Sequence, residues 1–239
     1  MKKLLLASVL AGCVSVSVQA SDWGYGEHHG PDSWGEVSVI CAQGKNQSPI
    51  DVTNAVKANL EALSVSYNGD VVALTNNGHS LQANVTGKNE LTIDGVVFEL
   101  KQFHFHTPSE NLIQGKQYPL EAHFVHADKQ GNLAVVSVMY EMKEENKELA
   151  QLSSVLPEEG DTEQLAKSFP VADMLPSTGS YYRFNGSLTT PPCTEGVRWF
   201  VLEETQSLSS AQEQKLNKVM GNNNRPVQAL NARKVIVNK

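Results

Sequence analysis

The sequence predicts a mostly β domain with a few peripheral helices. Short runs rich in β-branched and aromatic residues recur along most of the chain. Asp94-Gly95 stands between two of them as a two-residue hairpin signal. Only two segments carry apolar residues at helical spacing.

In chain order, residues 63–67 and 71–74 are short β-rich runs, and 80–85 alternates polar with apolar. Residues 91–93 and 96–100 flank the Asp94-Gly95 turn. Further strands are expected at 101–106, 120–126, 133–142, 181–184 and 197–202. The first helix is expected over 144–156, where Leu149, Leu152 and Leu156 share a face and the charged residues form the solvated side. The second is expected to start in a capping box at Ser210-Ala211-Gln212-Glu213 and to stop at Gly221, with Leu216, Val219 and Met220 as its buried stripe. No repeat, low-complexity tract or Gly/Ser linker divides 21–239, which read as one domain.

Residues 1–20 read as a cleavable signal peptide. Lys2 and Lys3 precede an apolar stretch over 4–18, and Val18-Gln19-Ala20 is a small-residue cleavage pattern. Leu10-Ala11-Gly12-Cys13 offers a second reading, cleavage to a lipidated Cys13, with an unusually short apolar run. Removing 1–20 deepens the net charge from −7 to −9, a balance that argues against nucleic acid, whose phosphates require Lys and Arg. Cys41 and Cys193 remain. In an oxidising compartment they are expected to form a disulfide, the alternative being two buried thiols.

The histidines carry the chemical signal. In Gln102-Phe103-His104-Phe105-His106, strand parity sends His104 and His106 to one face and both phenylalanines to the core. In the 120–126 run Glu121 and His123 share a face, while His126 points the other way and is read as structural. If the two strands are neighbours, three imidazoles converge. Three nitrogens plus an open position is the pattern of catalytic rather than structural zinc, and imidazole suits zinc better than calcium or magnesium. No HExxH is present, which disfavours a helix-based zinc protease. Unaided, this reading stops at a metal site. His28 and His29 are assigned to a polar surface loop.

At these residues the chain resembles the α-class carbonic anhydrases. The resemblance runs from Trp23-Gly24-Tyr25 to Asn223-Asn224-Arg225-Pro226. Its most specific stretch is Ser109-Glu110-Asn111, Tyr118 and Glu121-Ala122-His123-Phe124. Gln47-Ser48-Pro49-Ile50, Asn76-Asn77-Gly78-His79, residues 102–106 and Ser187-Leu188-Thr189-Thr190-Pro191-Pro192 match in order.

The resemblance implies a single domain around a large, mostly antiparallel twisted sheet. It implies zinc (Zn2+) on His104, His106 and His123, oriented by Gln102 and Glu121. The implied reaction is reversible hydration of carbon dioxide to bicarbonate and a proton, by attack of zinc-bound hydroxide. The roughly neutral pKa of such a bound water is a general value for which carbonic anhydrase is itself the standard example. Thr189 and Glu110 would orient the hydroxide. Thr190, Val125, Val135, Leu188, Val197 and Trp199 would line the substrate site, and His79 would pass the proton out. Cys41 and Cys193 fall where bacterial members commonly have a disulfide. The same resemblance implies a Gram-negative periplasmic enzyme, a possible homodimer, and inhibition by sulfonamides and anions.

Two other classes differ in testable ways. A non-catalytic binding domain of this family would have lost ligands, whereas all three histidines, Glu110 and Thr189 are present. A zinc hydrolase would cleave activated esters without chelator-sensitive hydration of carbon dioxide.

Overall fold

A computed structural model describes residues 23–238; the expected signal peptide and Cys13 lie outside the described residues. Two short helices open the chain, α1 (Trp34–Val37) and α2 (Val39–Gln43). Ten strands follow: β1 (Asp51–Val52), β2 (Val56–Ala58), β3 (Ser64–Tyr67), β4 (Asp70–Asn76), β5 (Leu81–Val85), β6 (Asn89–Ile93), β7 (Val96–His106), β8 (Leu112–Ile113), β9 (Leu120–Ala127) and β10 (Leu133–Met142). Then come α3 (Lys147–Leu152), β11 (Thr162–Pro170), a 3-10 turn (Val171–Met174), β12 (Tyr181–Ser187), β13 (Glu195–Leu202), β14 (Gln206–Leu208), α4 (Ser210–Met220) and β15 (Ile236–Asn238).

The described residues form one large sheet in the order β11-β4-β5-β7-β9-β10-β13-β12-β15-β2, with β6 joining β3 to β7 and β14 beside β10. All its pairings are antiparallel except β10–β13, β10–β14 and β15–β2. β1 and β8 form a separate parallel ribbon. The mostly β, mostly antiparallel expectation is therefore borne out.

The sheet buries apolar side chains on both faces. One face carries Leu81, Phe98, Leu100, Phe103, Phe105 and Phe124 with Leu149, Leu152 and Leu216 from the helices. The other carries Ile50, Tyr118, Val135, Val197 and Trp199. His104, His106 and His123 lie on this second face, with the His123 ring against Trp199.

The runs at 96–100 and 101–106 are one continuous strand, β7. Its register against β9 shifts between Leu100 and Gln102. In an unbroken strand, Leu100 and Gln102 would share a face. The irregularity reverses parity, so Phe98 and Leu100 before it and Phe103 and Phe105 after it all reach the same core. Gln102, His104 and His106 are thereby delivered to the opposite face.

The capping box of α4 lies one residue earlier than expected: Ser209 is the cap, paired with Gln212. The same Gln212 amide also bonds the backbone of Asn146, which ties the two helix starts together. α3 is shorter than the 144–156 expected. Asn146 caps it by accepting from Glu148 N and Leu149 N, and Ser153 and Ser154 turn their hydroxyls back onto the Ala150 and Gln151 carbonyls at its end. The sequence predicts no strand over β11. It is an edge strand whose side chains are mostly exposed, so it has no apolar alternation to read.

Candidate metal centre

β7 and β9 are adjacent and antiparallel, and the register places His104 opposite His123 and His106 opposite Glu121. The three imidazoles meet on one face, with one ring nitrogen from each lying within 4.8 Å of the others. His106 and His123 are buried, and His104 is half-buried at the mouth.

Each ring is held from behind by an oxygen. His104 Nδ1 lies 2.9 Å from Gln102 Oε1. His106 Nδ1 lies 2.7 Å from the Asn223 carbonyl. His123 Nε2 lies 2.8 Å from Glu121 Oε1. With their outer nitrogens donating, the rings turn His104 Nε2, His106 Nε2 and His123 Nδ1 inward as acceptors. Burial, with His106 and His123 alongside, holds the His104 pKa well below its usual range. Burial lowers His106 as well, against the Asn223 carbonyl. Neutral rings are the form that binds a metal. His106 Nε2 is buried with no hydrogen-bond partner, and a buried polar atom of this kind requires one. A cation taking a lone pair from all three nitrogens meets that requirement, so the residues present fit a metal ion.

Glu121 is the most heavily bonded group here. Oε2 accepts from the backbone N–H of Glu110 and Asn111, at 2.7 and 2.9 Å. Oε1 accepts from Asn111 Nδ2 at 2.8 Å and from Ser137 Oγ at 2.6 Å. Burial works to raise its pKa, but the His123 ring and the Ser137 and Asn111 bonds outweigh it and bring the carboxyl down to about 2. The same carboxylate therefore orients a ligand and fixes the backbone of Glu110.

Glu110 is buried beside the centre, with Oε2 3.5 Å from His106 Nε2 and 3.9 Å from His123 Nδ1. Its Oε1 accepts the Arg225 N–H at 2.8 Å. Burial pushes its pKa up to about 7, against the His123 ring, the Arg225 N–H and the Thr189 hydroxyl, all of which favour the ionised form.

Thr189 is buried in the loop between β12 and β13. That loop is closed by Leu188 N to Thr194 O at 3.0 Å and by Cys193 N to Thr190 O at 2.8 Å. At its root Gly186 is required by close approach: a Cβ there would come within 2.1 Å of Ser48 Oγ. Cys193 is bonded to Cys41, a bridge of sequence separation 152, so the disulfide expectation is borne out.

The expected apolar residues form a row beside the histidines. Gln102 pairs with Val125, Val125 with Val135, and Val135 with Trp199 across four adjacent strands. Val197 and Leu188 pack in the same cluster, and the Trp199 ring lies 4.9 Å from His123. A cavity of about 140 Å³ opens above His104 and His106, lined also by Thr190, His79, Gln82, Trp23 and Tyr25. His79 stacks on Trp23 with ring centroids 3.8 Å apart. Its carbonyl accepts from Asn223 Nδ2 at 3.0 Å.

The remaining histidines fall where parity and composition put them. His126 is buried on the other face, 2.6 Å from the Tyr67 hydroxyl, and His28 and His29 are exposed. Three contributors were not read from the sequence. Ser137 has a detectable signal, a lone small polar residue inside the apolar run of β10. Asn223 acts through its backbone carbonyl, which leaves no side-chain signature. Trp23 has no signal beyond its place in the Trp23-Gly24-Tyr25 match.

Fold and site together define a sheet protein with a three-histidine metal centre left open toward a cavity. A family profile described as eukaryotic-type carbonic anhydrase matches residues 29–239. A carbonic anhydrase of Neisseria gonorrhoeae is 45% identical, over 97% of this chain and 96% of its own. Among solved structures, the Photobacterium profundum α-carbonic anhydrase is 56% identical with a TM-score of 0.88, covering 90% of this chain and 100% of that one. The Thermovibrio ammonificans enzyme, solved with the inhibitor sulfanilamide, is 49% identical with a TM-score of 0.87, covering 90% and 98%. The chain belongs to the α-class, eukaryotic-type carbonic anhydrase family.

Proposed function

We propose that this chain is a carbonate dehydratase that converts carbon dioxide and water reversibly to bicarbonate and a proton, with zinc on His104, His106 and His123. The observation that carries the proposal is the convergence of three oriented imidazoles beside both an apolar row and a buried Thr189–Glu110 pair. Zinc bound there would acidify a water molecule enough to supply hydroxide near neutral pH.

The chain's own residues supply the rest. An ionised Glu110 accepts the Thr189 hydroxyl proton as a hydrogen bond. The Thr189 oxygen is then left to accept from the nucleophile, which turns the nucleophile's lone pair toward the substrate carbon. Val125, Val135, Leu188, Val197 and Trp199 offer a small apolar molecule a dry surface next to that nucleophile, with Thr190 at its polar edge. His79 lines the cavity within reach of solvent, and its near-neutral reference pKa suits it to carry the proton away.

Sulfonamide inhibition is proposed for this chain from the sulfanilamide complex of the Thermovibrio relative. Export to a periplasm is proposed from residues 1–20, with 21–239 as the catalytic domain. A disulfide fits that compartment. Intact mass of the purified protein distinguishes cleavage after Ala20 from acylation at Cys13.

Stopped-flow hydration with and without a chelator tests the activity. Hydration that is lost on chelation and restored by zinc is expected. A zinc-loaded sample without chelator-sensitive hydration would overturn the proposal.

A further inference from the structure

Arg225 stands outside every role described so far except through its backbone. Its N–H holds Glu110 Oε1 at 2.8 Å, bridging 115 positions of sequence. Its side chain is buried, and the guanidinium donates to three neutral oxygens. These are Gln47 Oε1 at 2.9 Å, the Ser48 carbonyl at 2.8 Å and the Cys41 carbonyl at 2.8 Å. The guanidinium also lies 5.6 Å above the Trp34 ring.

A buried guanidinium bonded to carbonyls, with no carboxylate on its fork, is an expensive way to fill space, since desolvating an ion costs several kcal/mol. An apolar side chain would pack the same volume without that cost. Two features of its surroundings give the charge a purpose. Burial works against the charged form of Arg225, and the neighbouring Glu110 carboxyl and Tyr25 hydroxyl favour it, while Glu110 Oε1 is bonded to the Arg225 N–H itself. The three oxygens it grips all belong to the 41–48 segment, and that segment is locked to the catalytic loop. Cys41 is bonded to Cys193, and Gln47 Nε2 donates to the Cys193 carbonyl at 3.0 Å. Cys193 follows directly on Thr189-Thr190-Pro191-Pro192. One side chain thus references the position of Glu110 to the frame that also carries Thr189.

We propose that Arg225 is a positioning residue for Glu110: its guanidinium, anchored on Cys41, Gln47 and Ser48, sets the place of the N–H that holds the carboxylate facing Thr189. The proposal deepens the hydration reading and rests on it. Arg225 touches neither the metal ligands nor the substrate surface, so its removal is expected to spare zinc content and substrate affinity.

Hydration kinetics of the zinc-loaded, disulfide-bonded protein test it in wild type, Arg225→Lys, Glu110→Gln and the double variant. Arg225→Lys keeps the charge and loses the fork. A fall in kcat of about 10- to 100-fold is expected, with KM and zinc content unchanged. The same substitution is expected to cost nothing further in the Glu110→Gln background, because coupled residues are non-additive. An equal loss in both backgrounds, or no loss at all, would overturn the proposal. Gln47→Met, which removes one anchor at similar volume, is expected to give a smaller loss that also vanishes with Glu110→Gln, and it serves if Arg225→Lys does not fold. Amide exchange at residue 225 supplies a readout independent of activity. Faster exchange in Arg225→Lys or Gln47→Met supports the anchoring, and unchanged exchange refutes it. Were the wild type to show no chelator-sensitive hydration, the activity reading would fall while amide exchange still decided the positioning.

Discussion

Glu121 Oε1 lies 2.8 Å from His123 Nε2, while Glu121 Oε2 accepts the backbone N–H of Glu110 at 2.7 Å. One buried carboxylate therefore orients the His123 ring and fixes the backbone of Glu110. On the proposed function, metal affinity and nucleophile orientation would be linked through it.

Glu121→Gln is expected to weaken zinc binding by about 10- to 100-fold, the usual cost of losing a group that orients a ligand. Competition with a chromogenic chelator measures this. The amide also sets a donor against Asn111 Nδ2 and Ser137 Oγ, so a stability loss of about 1–3 kcal/mol is expected in denaturant titration.

The same group predicts an acid limit. Glu121 is held at about 2 against a reference of 4.5. A carboxyl depressed in the folded state contributes stability that is complete above its unfolded pKa and is lost as pH falls through the folded one. Wild-type stability should therefore drop between about pH 4.5 and pH 2, and Glu121→Gln should show a shallower slope over that window. Parallel slopes in acid titrations of the two proteins would contradict the assignment.

His79→Ala is expected to lower the maximal hydration rate by up to about 100-fold in weak buffer, the lower end of what a positioned proton carrier contributes. It should leave kcat/KM near wild type, because the residue lies in the cavity wall beside Trp23 rather than in the apolar row. Added imidazole should restore part of the rate. An unchanged rate in weak buffer removes His79 from the proton path.

Val135 sits between Val125 and Trp199 in the apolar row. Val135→Tyr should fill the substrate surface and lower kcat/KM by on the order of 100-fold, the cost of displacing a reactant by about an ångström. Zinc content should stay unchanged, since no ligand or its hydrogen-bond partner is touched. Metal analysis alongside the kinetics separates this outcome from loss of the centre.

Reduction of Cys41–Cys193 releases a loop of sequence separation 152. Its stabilisation is roughly 5 kcal/mol on the chain-entropy account. Thermal melts with and without reductant, and Cys41→Ser, should show the loss. Hydration should fall with it, because Cys193 anchors the loop that carries Thr189. Unchanged stability and activity after reduction would end this bracing role.

Much of the centre is legible in the chain itself. Strand parity alone separates His104 and His106 from Phe103 and Phe105, and His123 from His126. A period of two is a local property of backbone geometry, so it can be read wherever one face is buried. The same logic fails for β11, whose exposed side chains carry no alternation. It also misplaces a helix start by one residue, because Ser209 and Ser210 are chemically alike and only the meeting with Asn146 selects between them.

Local alternation in the chain already marks which side chains could be ligands and which strands carry them. The chain also places a polar serine inside the apolar run of β10. Tertiary pairing sets His104 opposite His123, lets a register shift at Leu100–Gln102 bring Phe98 and Leu100 to the same core as Phe103 and Phe105, and carries Asn223 and Arg225 across more than a hundred residues to hold His106 and Glu110. Parity is set by the bonds within one strand. Convergence depends on which strands pair and in what register, and on backbone carbonyls and N–H groups that every residue possesses and no side chain announces.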